Sequence, residues 1–292
     1  MEYGDKHILV LGAGASGIGA SWVLAQVGAH VVLNDYKPVT LPATEEERLV
    51  SAGVEIITGR QDESLLDGVV RIVISPGISL DIPIVKTAQA RGIDVVSEVE
   101  LAYEVSKSPI VAVTGTNGKT TTTTLLTKVL EGSGKPVRVG GNIGDSLSEV
   151  AYSMPAGGFL VAELSSYQLE TIKHFRPIGA IMLNITPDHL ARHKTMENYI
   201  AAKERIFENQ LKSDYLVLNI DDSVVADMEH RAPSHILQIS QKQTVENGAY
   251  YANGQCYVVK NGVATAVIGD EDIHIPGSHN IENILTVIAL TY

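Results

Sequence analysis

Several classes of protein are excluded by what this sequence has little of. Its one cysteine, Cys256, leaves no partner for an intramolecular disulfide and rules out a metal site built from cysteines. Lys and Arg number 22 against 34 Asp and Glu, and the formal charge of -12 argues against a protein that wraps a nucleic-acid backbone. Phosphate ligands are not excluded, because a few backbone N–H groups and one lysine can hold a phosphate locally.

Long apolar runs are missing as well. No stretch approaches the roughly 20 apolar residues that a transmembrane helix needs. The first apolar run, residues 8–11, leads straight into glycines and lacks the layout of a signal peptide. We therefore expect a cytoplasmic protein, without nucleic-acid or membrane partners, and we expect it to be a monomer.

The sequence is long enough for two domains, since 45% of its 292 residues are apolar. Short apolar strands alternate with helical stretches, and the alternation restarts after Pro109. This pattern predicts α/β domains at 1–97 and 98–292 with mostly parallel sheets. The expected strands are 7–11, 30–34, 54–57, 69–74, 94–96, 110–113, 158–162, 179–184 and 215–219.

Two later regions differ from this alternation. Between about 234 and 275 the sequence is rich in β-forming residues, and Asn-Gly pairs at 247–248, 253–254 and 261–262 predict hairpins. Residues 281–292 have helical periodicity without a closing Gly, Asn or Pro, so we expect a chain that has been cut short.

The strongest local signal is the segment VAVTGTNGKT at 111–120. An apolar strand runs into a glycine-rich loop, and a helix follows. Gly115 and Gly118 allow the backbone to close around an anion. Lys119 supplies positive charge, and the Thr120 hydroxyl can bind Mg²⁺. The alternative interpretation is an ordinary turn before a helix.

A second glycine-rich loop, GAGASGIG at 12–19, follows the first expected strand. Gly12, Gly14 and Gly17 fit the GxGxxG pattern, and Asp35 ends the next strand. On general grounds this predicts a dinucleotide site with Asp35 on a ribose hydroxyl. The pattern reports only a phosphate-sized anion at a helix N-terminus, and glycines for tight helix–strand packing give the same pattern.

Polar residues at the ends of later strands are further candidates. Ser-Pro-Gly at 75–77 follows a strand, where loops of an α/β sheet line the ligand crevice, although an ordinary turn fits equally. Glu163 ends a strand and can hold Mg²⁺. Asp188 and His189 follow another strand, and a neutral histidine binds metals or carries protons. The alternatives are an ion-paired carboxylate and a structural histidine.

Two helices carry the remaining candidates. Lys203 lies in a clear helical pattern, where a solvated lysine is the simplest interpretation. Asn280 and Asn283 share a helix face, and their amides can bond to an adenine edge. Their alternative is capping and loop chemistry.

Taken together, these motifs resemble the Mur ligase family over the whole chain and in the right order. The branch they resemble adds D-glutamate to UDP-N-acetylmuramoyl-L-alanine. The resemblance implies a Rossmann-like N-terminal domain, a P-loop-type α/β central domain with a β-rich hairpin region, and the absence of the family's C-terminal domain. The matching motifs are GAGASG at 12–17, SPG at 75–77, TGTNGKT at 114–120, GGNIG at 140–144, ELSSYQLE at 163–170, NITPDHLARH at 184–193, AAKERIF at 201–207 and GSHNIENI at 277–284.

The resemblance also implies roles for individual residues. The catalytic residues would be Lys119, His189 and Lys203. The ATP-binding residues would be Gly115, Thr116, Asn117, Gly118, Lys119, Thr120, Thr121, Asn280 and Asn283. The UDP-substrate would contact Ala15, Ser16, Asp35, Tyr36, Lys37, Ser75, Gly77, Asn142, Ser165 and His189. Two Mg²⁺ ions would be held by Thr120, Glu163, His189 and a carbamylated Lys203.

The implied reaction is the synthesis of a peptide bond. A substrate carboxylate attacks the γ-phosphate of ATP, and the amine of D-glutamate displaces phosphate from the resulting acyl phosphate. Without the C-terminal domain, the chain is expected to bind substrate and not to complete ligation. The sequence departs from the family pattern at Tyr36, Lys37 and Ala191, and at Leu285 and Thr286.

Three alternative functions fit some or all of these motifs. A nicotinamide-dependent dehydrogenase accounts for the first glycine loop and Asp35, but it leaves 114–120, Glu163 and Lys203 unexplained. A fragment that binds the UDP-substrate and ATP without turnover is compatible with every motif. A ligase like folylpolyglutamate synthase shares the second loop but has no GAGASG domain.

Overall fold

The computed structural model describes residues 2–292, which form two compact units. The first unit comprises the chain up to Lys107 together with Gly144–Met154 and Tyr167–Phe175. The second comprises Ser108–Ile143, Pro155–Ser166 and Arg176–Tyr292. Within the described residues, no helix is both long and apolar enough to cross a membrane.

The elements before residue 107 alternate as the sequence predicted. They are β1 (His7–Leu11), α1 (Ala15–Gln26), β2 (His30–Asp35), α2 (Ala43–Ser51), β3 (Glu55–Thr58), a 3₁₀ turn (Glu63–Leu66), β4 (Val69–Ile74), α3 (Pro83–Ala90), β5 (Asp94–Ser97) and α4 (Glu98–Val105).

The remaining elements continue the alternation and end in a β-rich region and a helix. They are β6 (Ile110–Thr114), α5 (Lys119–Glu131), β7 (Val137–Gly141), α6 (Leu147–Ser153), β8 (Phe159–Glu163), α7 (Ser166–Leu169), β9 (Gly179–Met182), α8 (Leu190–His193), α9 (Met196–Glu204), β10 (Tyr215–Asn219), α10 (Ser223–Asp227), β11 (His235–Ser240), β12 (Gly248–Ala252), β13 (Gln255–Lys260), β14 (Val263–Gly269) and α11 (Ser278–Thr291), with 3₁₀ turns at Arg205–Phe207, Met228–His230 and Asp270–Asp272.

The first unit is built on a five-stranded parallel sheet of order β3-β2-β1-β4-β5. Along β1, Ile8 and Val10 pack into one apolar cluster, whereas Leu9 and Leu11 pack into another. Both faces are therefore buried, as is usual for parallel sheets. The strand order reverses beside β1, so the loops after β1 and β4 border the crevice in which such sheets bind ligands.

The second unit is built on a nine-stranded sheet of order β14-β13-β12-β11-β10-β9-β6-β8-β7. Strands β6 to β12 all run parallel to their neighbours in this group. Val111 and Val113 of β6 and Leu285 of α11 belong to one buried cluster. The predicted α/β class is thus confirmed in both units. The glycine-containing edge strand β7 is the one that the sequence pattern did not predict.

The predicted hairpins are correct at two of three positions. At Asn253–Gly254 and Asn261–Gly262 both residues have positive φ, and antiparallel strands follow. The hairpin expected at 247–248 is wrong, because β11 and β12 are parallel. Gly248 is needed there for another reason: a Cβ would collide with the carbonyl oxygen of Gln238.

Two buried carboxylates of α4 hold the later segments of the first unit. Glu98 accepts hydrogen bonds from Ser146 Oγ (2.7 Å) and Ser148 N (2.6 Å), and burial raises its pKa. Glu100 accepts three hydrogen bonds of 2.7–3.1 Å from the backbone N–H groups of 173–175. The domain boundary expected at residue 97 lies directly before this helix, and it stays a prediction.

Candidate functional site

The glycine-rich loop of the first unit connects β1 to α1. Gly12 has φ +98°, and a Cβ on it would lie 2.8 Å from the Ser75 side chain. A Cβ on Gly17 would collide with the carbonyl oxygen of Gly12. Gly14 precedes the first turn of α1, and within residues 2–292 no side chain caps that turn. The N–H groups of the turn, which begins at Ala15, are therefore available to an anion.

The Asp35 carboxylate stabilises this loop by accepting hydrogen bonds from backbone N–H groups. Its Oδ2 accepts a hydrogen bond from Ala13 N and its Oδ1 accepts one from Lys37 N, each at 3.0 Å. Ser75 Oγ also donates to Gly12 O at 3.3 Å. Asp35 and Ser75, predicted from separate motifs, thus meet the same loop. Their contacts with a UDP-substrate stay predictions.

Four more residues expected to contact the UDP-substrate lie near these strand ends. Ser16 is half-buried in the first turn of α1, and Gly77 is exposed in the loop after β4. Tyr36 and Lys37 are exposed directly after β2, with Tyr36 69% accessible. These two departures from the family pattern therefore fall on solvent-facing side chains.

The loop of the second unit connects β6 to α5, and neighbouring backbone holds it. Gly118, with φ +85°, precedes α5, and a Cβ on it would lie 2.7 Å from Asn283 Oδ1. Thr116 N donates to Asn184 O at 2.9 Å, and Asn117 N donates to Asn184 Oδ1 at 2.8 Å. Asn184, which lies shortly after β9, is thus hydrogen-bonded to the middle of the loop.

Lys119 is the first residue of α5, and its side chain folds back over the loop. The ammonium donates to Thr116 O at 2.8 Å and to Gly115 O at 3.2 Å. The positive charge therefore lies at the loop itself, at the positive end of the helix. Thr120 and Thr121 are exposed in the first turn of α5.

Asn283 joins α11 to α5, the helix that follows this loop, and Asn280 is bonded to Asn283. Asn283 Oδ1 accepts a hydrogen bond from Thr122 Oγ1 at 3.0 Å, and Asn283 Nδ2 donates to Asn280 Oδ1 at 3.1 Å. Asn280 Nδ2 donates to Pro276 O at 2.7 Å. Both amides are buried, and these bonds give them a structural task. Their contact with adenine stays a prediction.

Glu163 is the best-placed carboxylate for a cation. It pairs with Val113 across β8 and β6, and it is 1% exposed. Asn142 Nδ2 donates to Glu163 Oε1 at 2.9 Å, whereas Oε2 has no hydrogen-bond partner within residues 2–292. A buried carboxylate oxygen without a partner is costly, so the site fits a hard cation such as Mg²⁺, which prefers oxygen ligands.

The described residues contain no cluster of three or more His, Cys, Asp and Glu side chains arranged to hold a metal. A cation at Glu163 would therefore depend on other oxygen donors, such as the Thr120 hydroxyl. Ser165, two residues beyond Glu163, is half-buried.

Lys203 is buried rather than solvated. Its side chain is on α9, and the residue is 1% exposed. The ammonium donates to Gly115 O at 2.7 Å and approaches Thr114 Oγ1 at 3.4 Å. Burial, reinforced by the charge of Lys119 and opposed by Asp188, lowers the pKa of Lys203 to about 7. The simplest interpretation of the sequence, a helix-surface lysine, is therefore wrong.

His189 lies in the loop before α8, in a left-handed conformation with φ +54°. Its Nε2 lies 3.3 Å from Asp188 Oδ2. Its ring meets the Tyr199 ring edge-on at 6.4 Å, and the Lys203 ammonium lies 4.9 Å from the centre of the same ring. Tyr199 therefore contacts both predicted catalytic residues.

Sequence reasoning missed Tyr199, which is fully buried and hydrogen-bonded to Thr116 Oγ1 at 3.0 Å. The available signal was its spacing, since Tyr199 and Lys203 are four residues apart and share a helix face. His193 and Ser166, whose side chains are hydrogen-bonded at 2.9 Å, were also missed. Both lie inside quoted motifs, but nothing local indicated that they meet.

Comparison with known families gives two matches along the chain. Residues 6–97 match the family described as "Mur ligase MurD-like, N-terminal domain", and residues 113–291 match the family described as "Mur ligase middle domain".

Curated proteins match this chain over its full length. A protein named UDP-N-acetylmuramoylalanine--D-glutamate ligase from Thermoanaerobacter pseudethanolicus is 45% identical over 292 residues. One of the same name from Caldanaerobacter subterraneus subsp. tengcongensis is 46% identical over 292 residues. In both cases the match covers 100% of this chain and 64% of the relative, so the chain spans about two thirds of the length of these relatives.

Similar solved structures share the fold at low identity. UDP-N-acetylmuramate:L-alanyl-gamma-D-glutamyl-meso-diaminopimelate ligase from Neisseria meningitides has a TM-score of 0.63 at 21% identity, covering 98% of this chain and 93% of that chain. The MurF ligase from Thermotoga maritima in complex with ADP has a TM-score of 0.51 at 16% identity, covering 98% of this chain and 60% of that chain.

Proposed function

Because the chain belongs to the Mur ligase family, we propose that it binds ATP and UDP-N-acetylmuramoyl-L-alanine for ligation of D-glutamate. The curated relatives at 45% and 46% identity carry the name of that ligase, which supports this choice of substrates. The chain spans 64% of their length, so the activity of the whole protein is part of the proposal.

One arrangement carries the proposal. The side chains of Lys119 and Lys203 both donate to the carbonyl of Gly115 in the loop after β6. Glu163, on the adjacent strand, has a buried oxygen without a partner within residues 2–292. The positive charge of Lys119 beside the backbone N–H groups suits a polyphosphate, and the spare carboxylate oxygen suits the cation that accompanies it.

The proposed reaction has two steps. An oxygen of the alanine carboxylate attacks the γ-phosphorus of ATP, the bond to the β-phosphate oxygen breaks, and ADP leaves. The amine of D-glutamate then attacks the acyl carbon, phosphate leaves, and the amine proton is released. Lys119 neutralises charge on the transferring phosphoryl group, and the loop N–H groups orient it.

Thr120, Glu163, His189 and Lys203 are the residues proposed to hold Mg²⁺. When bound, Mg²⁺ neutralises negative charge on phosphoryl oxygens. An ammonium at Lys203 would repel the ion, but its lowered pKa, about 7, leaves much of the amine neutral at physiological pH. The neutral amine can add CO₂ and lose a proton to form a carbamate, which supplies an anionic oxygen in place of positive charge.

The first unit is proposed to hold the UDP end of the substrate. The turn that begins α1 can bind the diphosphate through N–H groups, and Asp35 keeps the preceding loop in place. A dehydrogenase would use a similar loop for NAD. The second loop and the Lys203 site have no task in that alternative.

The coverage of the relatives supports one further part of the proposal. Residues 1–292 match 64% of those proteins, and the unmatched third is a candidate for completing the reaction. We therefore expect the 292-residue chain to bind substrates without releasing peptide product at a rate comparable with that of a relative. A comparable rate would contradict this.

Calorimetry on the 292-residue chain tests the main proposal. Titrations with UDP-N-acetylmuramoyl-L-alanine, with UDP and with Mg²⁺ and ATP should each give saturable binding, and NADH should give none. Binding of NADH without binding of UDP would favour the dehydrogenase. Absence of ATP binding would remove the phosphate-loop assignment.

A further inference from the structure

A buried hydrogen bond joins two side chains that the proposed reaction does not use. Ser166 Oγ and His193 Nε2 are 2.9 Å apart, and the residues are 1% and 6% exposed. Ser166 follows Ser165 directly and lies three residues beyond Glu163. His193 ends α8, four residues after His189. The bond therefore links two segments that carry proposed substrate and metal contacts.

The backbone around His193 directs its imidazole inward. Its carbonyl oxygen accepts hydrogen bonds of 2.9 Å from both Thr195 N and Asn198 Nδ2. Lys194 has φ +71°, which a non-glycine residue adopts only when its surroundings enforce it. The turn between α8 and α9 thus keeps His193 facing the interior.

The imidazole also packs against the aromatic residue at the centre of the site. The rings of His193 and Tyr199 are 5.3 Å apart, and Tyr199 OH is hydrogen-bonded to Thr116 Oγ1 at 3.0 Å. Thr116 is part of the phosphate loop. A continuous set of contacts therefore runs from Ser166 through His193 and Tyr199 to Thr116, all within the second unit.

We propose that His193 is a positioning residue that holds Ser166, and through it the neighbouring Ser165, in place for the UDP-substrate. This inference rests on the proposed function, because Ser165 is a substrate contact only in that function. Ser166 is at the first position of the four-residue helix α7, where no long helix fixes the backbone. A buried hydrogen bond from a rigid turn supplies that constraint instead.

The bond and the ring contact of His193 have separable consequences. Phenylalanine at 193 keeps an aromatic ring beside Tyr199 but cannot bond to Ser166. Glutamine at 193 can return a hydrogen-bonding amide near the position of Nε2. Loss of the bond should therefore weaken binding of the UDP-substrate. The affinity for ATP should stay unchanged, because the hydrogen bond between Tyr199 and Thr116 remains.

The test is calorimetry with UDP-N-acetylmuramoyl-L-alanine and with Mg²⁺ and ATP on wild type, His193→Phe, His193→Gln, Ser166→Ala and the His193→Phe/Ser166→Ala double variant. His193→Phe and Ser166→Ala should each raise the Kd for the UDP-substrate about tenfold, and the Kd for ATP less than about twofold. The double variant should be no worse than either single one, and His193→Gln should recover most of the affinity. His230→Phe, an exposed histidine in the same unit, is the matched control and should bind both ligands like wild type.

Three results would overturn the inference while leaving the proposed function intact. They are wild-type affinity in Ser166→Ala, equal weakening of both ligands in His193→Phe, and additive losses in the double variant. Ser166→Ala keeps the test decisive if His193→Phe does not fold, which thermal unfolding would reveal. If wild type itself fails to bind the UDP-substrate, the proposed function falls and the inference falls with it.

Discussion

Both units place a glycine-rich loop after an interior strand of the sheet, but different side chains contact the two loops. The loop of the first unit, after β1, is braced by a carboxylate: Asp35 accepts a hydrogen bond from Ala13 N. The loop of the second unit, after β6, accepts hydrogen bonds from two lysine side chains, Lys119 and Lys203. The first loop therefore offers backbone N–H groups without a lysine, and the second adds the positive charge of Lys119 and the amine of Lys203.

This difference separates two ways of treating a phosphate. A loop with N–H groups and a helix N-terminus can hold a diphosphate that stays intact. Transfer of a phosphoryl group also needs charge that stabilises the transition state, and lysines or metal ions supply it. Under the proposed function, the first loop would hold the substrate and the second would serve the chemistry.

The largest expected effect is at the second loop. Lys119→Ala should lower ATP-dependent ADP release in the protein carrying these residues by about 10²–10³-fold, because one preorganised charge is lost. The fold should survive, since the Lys119 ammonium bonds only to carbonyls of its own loop in this structure. Lys128→Ala, an exposed lysine on the same helix paired with Glu131, is the control and should remain active. Near-normal turnover in Lys119→Ala would remove the distinction between the loops.

The next effect is at the first loop and concerns space rather than charge. Gly17→Ala should destabilise the protein by about 3 kcal/mol and abolish UDP binding, because its Cβ would collide with Gly12 O. Gly14→Ala is the matched control, since nothing lies within 4 Å of a Cβ there. Chemical denaturation and UDP calorimetry measure both variants. Equal behaviour of the two alanine variants would contradict the packing described for α1.

A smaller effect should follow from removing the brace of the first loop. Asp35→Ala should weaken UDP binding by about 1–3 kcal/mol, as expected when a partly buried hydrogen-bond acceptor is lost. ATP binding should not change. The UDP affinity of Asp35→Asn should lie between those of wild type and Asp35→Ala. The amide has one carbonyl oxygen, so it can accept only one of the two backbone hydrogen bonds that the carboxylate accepts. Unchanged UDP affinity in Asp35→Ala would take Asp35 out of the site.

The smallest effect, when it is expressed per pH unit, is a dependence of stability on pH that comes from the lysine beside the second loop. The pKa of Lys203 is lowered to about 7 from 10.5, so between these values the unfolded chain binds more protons than the folded one. Lys203 therefore makes the protein more stable as pH rises from 7 to 10.5, by at most about 1.4 kcal/mol per pH unit. The gain is lost as pH falls towards 7. Denaturation of wild type and Lys203→Met in CO₂-free buffer should show this difference, and parallel pH profiles would contradict it.

Much of the candidate site was predictable where the signal is local. The strand, glycine loop and helix at 111–120 occur as predicted, because glycines with positive φ and a short apolar run specify them within ten residues. Two of the three Asn-Gly turns follow for the same reason. The hairpin predicted at 247–248 is wrong because β12 pairs with β11 in parallel. That pairing depends on residues outside the turn.

The sequence by itself determined the two α/β units, the order of their glycine-rich loops and the residue types in those loops. Only the tertiary structure decided that Lys203 is buried against Gly115, 88 residues away, that Ser166 meets His193, and that one oxygen of Glu163 is without a partner in the described chain. Loop geometry arises from backbone preferences of adjacent residues. Burial, hydrogen-bond partners and the resulting pKa arise from segments far apart in the chain, which come together only when the sheet and its helices pack.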